Sequence, residues 1–112
     1  MIKLLLRTGL TFVLLSLSIS SWAQGRLEIS AGKDGLYMIT GPGGNIGVRL
    51  TDEGVILIDD KFPQDFDEIQ SLVASVSELP VRYVINTHHH GDHSGSNAGF
   101  LEVAEIIAHK NA

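Results

Sequence analysis

The chain has 112 residues, a formal charge of −5, five histidines and no cysteine. Its 44% apolar content is that of a globular protein and argues against disorder. An acidic chain does not suit phosphate-backbone binding, and the lack of cysteine excludes disulfides, thiolate metal sites and a Cys-X-X-Cys redox pair.

Lys3 and Arg7 open the chain, and Leu10 to Ile19 follows as an apolar core diluted by serines. Ser21-Trp22-Ala23 then places small residues at the two positions a signal peptidase reads. This pattern predicts a secretory signal over residues 1–23, cleaved after Ala23, and a single domain over residues 24–112. The protein is therefore expected to be exported, periplasmic or secreted. The apolar core is shorter than the roughly 20 residues of a spanning helix, so no stable membrane anchor is expected. Cleavage removes Lys3 and Arg7 and no acidic residue, which leaves the domain more acidic still and argues again against a nucleic-acid partner.

Leu27 to Ala31 and Leu36 to Thr40 read as two short strands around the turn-forming Gly32-Lys33-Asp34-Gly35. Gly41-Pro42-Gly43-Gly44-Asn45 fits neither the dinucleotide fingerprint nor the P-loop and reads as a plain loop. Ile46 to Leu50 is a third strand, and Thr51-Asp52-Glu53-Gly54 a hairpin turn with Gly54 free to take positive φ. Val55-Ile56-Leu57-Ile58 is a continuous apolar run, expected for a strand buried on both faces. It ends in Asp59-Asp60, and ligand sites gather at strand ends in layered folds. A solvated turn explains the same pair equally well.

Phe62-Pro63-Gln64 leads into a helix whose Phe66, Ile69, Leu72, Val73, Val76 and Leu79 share one face, with Asp65, Asp67 and Glu68 in the first turn and Pro80 closing it. Val81 to Asn86 is another strand. Ser96 or Asn97 caps a short helix through Phe100 and Leu101, and Glu105 to His109 is a last strand. Antiparallel strands followed by helix, strand, short helix and strand predict a mixed sheet with helices on one face.

Four of the five histidines lie in Thr87-His88-His89-His90-Gly91-Asp92-His93. If the strand runs on through His90, alternation turns His88 and His90 to one side and His89 to the other. Two imidazoles at i and i+2 can share a metal ion. Gly91 permits a sharp turn, after which Asp92 and His93 can reach the same pocket. Imidazole and carboxylate donors suit zinc, and also iron or manganese. A solvated histidine-rich loop is the alternative, and a buried strand leading into this spacing is far more specific than that.

The motif His88, His90, Asp92, His93 resembles that of the metallo-β-lactamase superfamily, and Gly54 to Asp59 is similar to that family's buried strand ending in aspartate. The resemblance runs from about Leu36 to His109. It implies an α/β (α+β) fold, the N-terminal half of an αββα sandwich with a metal site between the sheets. It implies that His88 and His90 bind a first metal, that Asp92 and His93 bind a second, and that Asp59 stands behind the ligands and orients one of them. It also implies one or two zinc ions, with Asp92 as catalytic residue orienting the nucleophile. The expected activity is metal-dependent hydrolysis of a small-molecule substrate: a β-lactam, lactone, thioester or other ester.

The family fold has two similar halves, and this chain is expected to carry only the first, with the remaining ligands in the second. His109 lies on the last strand, away from their place. As a truncated product the chain is expected to be inactive by itself, which leaves a non-catalytic partial metal-binding domain as one alternative reading. Another is an iron oxidoreductase on the same fold. Di-iron members tend to carry glutamate where this chain has His90, so a mono-iron sulfur-oxidising enzyme is the form that remains open.

Overall fold

A computed structural model describes residues 25–112. The expected signal over residues 1–23 lies outside the described residues. The elements are β1 (Glu28–Ala31), β2 (Leu36–Thr40), β3 (Ile46–Thr51), β4 (Gly54–Ile58), α1 (Phe66–Ala74), β5 (Val81–Ile85), α2 (Gly91–Ser94), α3 (Asn97–Phe100) and β6 (Glu105–Ile107).

The six strands form one sheet in sequence order. Tight turns join β1 to β4, so these strands pair antiparallel. Gly54 takes φ 136° at the β3–β4 turn, a conformation that favours glycine. The link from β4 to β5 passes through α1, and that from β5 to β6 through α2 and α3, so both pairs are parallel. The result is the mixed sheet expected from the order of elements.

Period-two alternation decides what faces the helices. Ile39, Ile46, Val48, Val55, Leu57, Val81 and Val84 bury one face of the sheet against Ile69 and Val73 of α1 and Phe100 of α3. Removing each such side chain from water stabilises the fold by about 1.5–3 kcal/mol before the loss of chain entropy is counted. Phe66 meets Phe100 edge-on at 4.8 Å between ring centres, which ties α1 to α3.

The other face is apolar but open. Leu36 and Met38 are exposed and Ile56, Ile58, Tyr83 and Ile85 half-buried. The expectation that β4 is buried on both faces is therefore corrected: of Val55 to Ile58, Val55 and Leu57 are enclosed and Ile56 and Ile58 are half-buried. α1 is also shorter than its apolar spacing suggested. It stops at Ala74, and Leu79 lies beyond it, 41% exposed. The cause is serine chemistry, since Ser75 Oγ donates to Leu72 O at 2.5 Å and Ser77 Oγ accepts from Leu79 N at 3.1 Å. Both bonds replace a further helical turn before Pro80 is reached. Among the described residues no helix is long and apolar enough to cross a membrane.

Candidate metal centre

The parallel strands β4 and β5 finish side by side, with Ile58 opposite Ile85. Asp59 N still donates to Ile85 O at 2.9 Å, and then the chain leaves the sheet at once. Asp59 has φ 67° and Lys61 φ 58°, both left-handed for non-glycine residues. Such geometry persists only where the surroundings over-determine it. The surroundings here are the histidine segment: Asp60 N donates to His93 O, and Gly95 N to Lys61 O at 2.7 Å.

β5 ends at Ile85, so the histidines do not continue a strand; Thr87 to His89 form a bend, His90 is extended at the start of α2, and α2 follows. The expected alternation is corrected accordingly. With β4 gone from the sheet, the chain beyond Ile85 has lost one neighbour and with it the ladder that would keep it extended. The bend still gathers rings. His88 lies 4.7 Å from His90 and 4.1 Å from His93 between ring centres. His89 is exposed and lines a hollow with Asn86, His88, Ser94 and Asn97.

Asp59 organises the group. Its carboxylate is 4% exposed and makes three hydrogen bonds. Oδ1 accepts from Thr87 N at 2.7 Å, Oδ2 accepts from Thr87 Oγ1 at 2.8 Å, and Oδ2 stands 2.7 Å from His93 Nδ1. Thr87 Oγ1 is in turn 2.8 Å from His88 Nδ1. The proton inventory assigns the tautomers. An ionised carboxylate only accepts, so His93 Nδ1 carries its proton, and the Thr87 hydroxyl proton goes to Asp59. Thr87 Oγ1 can then only accept from His88, so His88 Nδ1 carries its proton too. When both rings are neutral, Nε2 is then the lone pair in each. Donor atoms of Asp59, His88 and His93 all lie within 4.8 Å of one another.

Asp92 approaches from the opposite side. Its Oδ2 is 3.5 Å from His93 Nε2 and accepts from Gly44 N at 2.9 Å. The structure thus brings His88, His93, Asp92 and Asp59 around one space, with His90 exposed at its edge. His109 is exposed near the chain's last residues, where its ring accepts from Asn111 N and its carbonyl from Ala112 N.

Three features had little signal in the sequence. The glycine loop after β2 is packed on the site: a Cβ on Gly44 would sit 2.4 Å from His93 Cε1, and one on Gly43 2.9 Å from Asp92 Cβ. Lys61 is fully buried, and desolvation lowers the pKa of its ammonium against the opposing pull of Asp65. Asp60 is also fully buried. Desolvation raises its pKa to about 7, against the lowering effect of the Ser96 amide and with help from the Asp59 charge. Ser96 sits at the N-cap of α3 as expected, but its hydroxyl donates to Phe62 O at 2.6 Å and does not cap the helix.

A family model described as the metallo-beta-lactamase superfamily matches residues 39–112. The chain belongs to that superfamily. Solved structures agree. Over 65% of this chain and 29% of the other, it is 29% identical to BJP-1, a subclass B3 metallo-beta-lactamase of Bradyrhizobium japonicum, with a TM-score of 0.57. The metallo-beta-lactamase from Hirschia baltica shares the fold at 24% identity and TM-score 0.65, over 77% of this chain and 44% of that one. FIM-1 from Pseudomonas aeruginosa, in its mono-zinc form, shares it at 19% identity and TM-score 0.64, over 73% and 42%. The chain thus spans less than half the length of these relatives. Comparison with curated proteins finds no match.

A metal fits the residues present. The donors are imidazole nitrogen and carboxylate oxygen, the hydrogen bonds of His88 and His93 engage Nδ1 of each ring, and the group lies just beyond the C-terminal ends of parallel strands.

Proposed function

We propose that the protein is a metal-dependent hydrolase acting on a small carbonyl substrate of the β-lactam, lactone, thioester or ester class. His88, His90, Asp92 and His93 would hold one or two metal ions, zinc by donor type with iron or manganese also accommodated. The observation that carries this is the Asp59–Thr87 network, which presents Nε2 of both His88 and His93 to the space that Asp92 also borders. Because the chain spans less than half the length of the solved relatives, the activity is proposed for the whole enzyme of this type.

When bound, the metal supplies Lewis acidity towards a carbonyl oxygen and a nucleophilic water at neutral pH. The chain's own residues prepare for that. Asp59, with its oxygens already committed to Thr87 and His93, orients rings and does not compete as a ligand. Thr87 carries the same control to His88. Asp92, held by the Gly44 amide, orients the attacking water and can hold its proton. Export through a leader cleaved after Ala23 belongs to the same reading, and an exported protein whose sequence starts at Gln24 is its test.

The activity test is hydrolysis of a β-lactam, a lactone and a thioester by the whole enzyme, with and without chelator. Turnover that needs metal and is abolished by His88→Ala supports the reading. Turnover that survives both treatments overturns it. Metal analysis of protein purified without added zinc separates a zinc hydrolase from an iron oxidoreductase.

A further inference from the structure

Lysine is among the residues least often fully buried. Lys61 is fully buried, and among the described residues its ammonium does not sit on a carboxylate. Nζ donates instead to two backbone carbonyls of the glycine loop, Pro42 O at 2.6 Å and Gly44 O. Its own carbonyl accepts from Gly95 N at 2.7 Å, just past the histidine motif. One residue therefore grips the loop with its side chain and the motif with its backbone.

The two gripped carbonyls belong to the peptides 42–43 and 44–45. Between them lies the peptide 43–44, whose N–H is the one that reaches Asp92 Oδ2 at 2.9 Å. Fixing the peptides on both sides fixes the plane of the middle one. Gly43 and Gly44 carry no side chains of their own to restrain the loop, and glycine is free to rotate. Nor can side chains be added: a Cβ at either position would strike Phe62, Asp92 or His93. The terminal torsion of an aspartate is broad, so Asp92 depends on such a partner for its orientation.

We propose that Lys61 is a positioning residue for Asp92: it locks the Pro42–Gly44 loop so that the Gly44 amide holds the carboxylate ready for metal. This rests on the reading of Asp92 as a metal ligand. The chemistry is that of an outer hydrogen-bonding partner, whose loss weakens metal binding by about 10–100-fold.

The test is cobalt(II) titration of the purified protein, followed by its visible absorption, for the native chain, Lys61→Met, Asp92→Asn and the double variant. Methionine keeps the unbranched stem and removes the donors. Lys61→Met is expected to bind cobalt about 10–100-fold more weakly with its circular dichroism unchanged. The double variant is expected to bind no more weakly than Asp92→Asn, because both changes remove one linked interaction. Losses that add in the double variant mean a general structural role and overturn the proposal. Native-like cobalt binding by Lys61→Met, with Asp92→Asn weakened, overturns it while sparing the metal reading. Native-like binding by Asp92→Asn sinks the reading of Asp92 and the proposal together. Should Lys61→Met fail to fold, hydrogen exchange at the Gly44 amide of the native chain decides. Protection in the metal-free protein is expected, and exchange at the rate of an exposed loop amide overturns the proposal.

Discussion

The Asp59 carboxylate and the His93 imidazole meet at 2.7 Å, Oδ2 to Nδ1, at the ends of two neighbouring parallel strands. The same oxygen accepts the Thr87 hydroxyl, which borders His88. One buried carboxylate thereby sets the direction of two rings. Asp59→Asn keeps the shape but brings an amide whose NH2 group faces donors. It is expected to weaken zinc affinity by about 10–100-fold, read by competition with a chromophoric chelator.

Thr87→Val removes the hydroxyl and keeps the branched shape. His93 retains its direct bond to Asp59, while His88 loses the only bond that fixes its tautomer among the described residues. Nitrogen-15 shifts of the metal-free protein should show His88 protonated at Nδ1 in the native chain and mixed between both nitrogens in the variant. His93 should be unchanged.

Gly44→Ala places a methyl 2.4 Å from His93 Cε1, closer than real contacts allow. The ring or the loop must shift. Overpacking of this kind costs about 1–3 kcal/mol of stability, read by urea unfolding. Zinc affinity should fall with it, because the shift moves the ring that would bind the ion.

Asp60 makes stability depend on pH. Burial raises its pKa from 3.8 to about 7 in the folded chain, and Oδ2 has no hydrogen-bond partner among the described residues. Between those values the folded state keeps a proton that the unfolded state has released. Its contribution is whole below 3.8 and is lost as pH rises through about 7. The loss is at most ~4 kcal/mol. Asp60→Asn cannot ionise. The difference in unfolding free energy, variant minus native, should therefore grow from pH 4 to pH 8 and then level off.

Much of this architecture was legible in the residue order. Leu36 to Thr40 and Ile46 to Leu50 read as strands between turn-forming clusters, as the fold has them, and the spacing of His88, His90, Asp92 and His93 marked the candidate site. The parts that were not legible are those where a local pattern yields to a distant partner. The apolar spacing reaches Leu79, yet Ser75 and Ser77 end α1 by bonding the backbone. The histidines would alternate on a strand, yet β4 turns out of the sheet at Asp59 and leaves them without a ladder. The glycine loop looked like a connection because its contribution is an amide and an absence of side chains, and neither has a sequence signature. Lys61 drew no reading in the sequence, because only the fold reveals that both acceptors for its ammonium are backbone carbonyls.

The proposed centre is built by His88, His90, Asp92 and His93, with His88 and His93 oriented by Asp59. Zinc stoichiometry and affinity of the purified native protein, set beside His88→Ala and His93→Ala, test it most directly. Stoichiometric zinc is expected in the native protein and at least a ~10-fold loss of affinity in each variant, since a missing ligand costs no less than a missing outer partner. Equal zinc binding by all three proteins, at the same affinity, would contradict it.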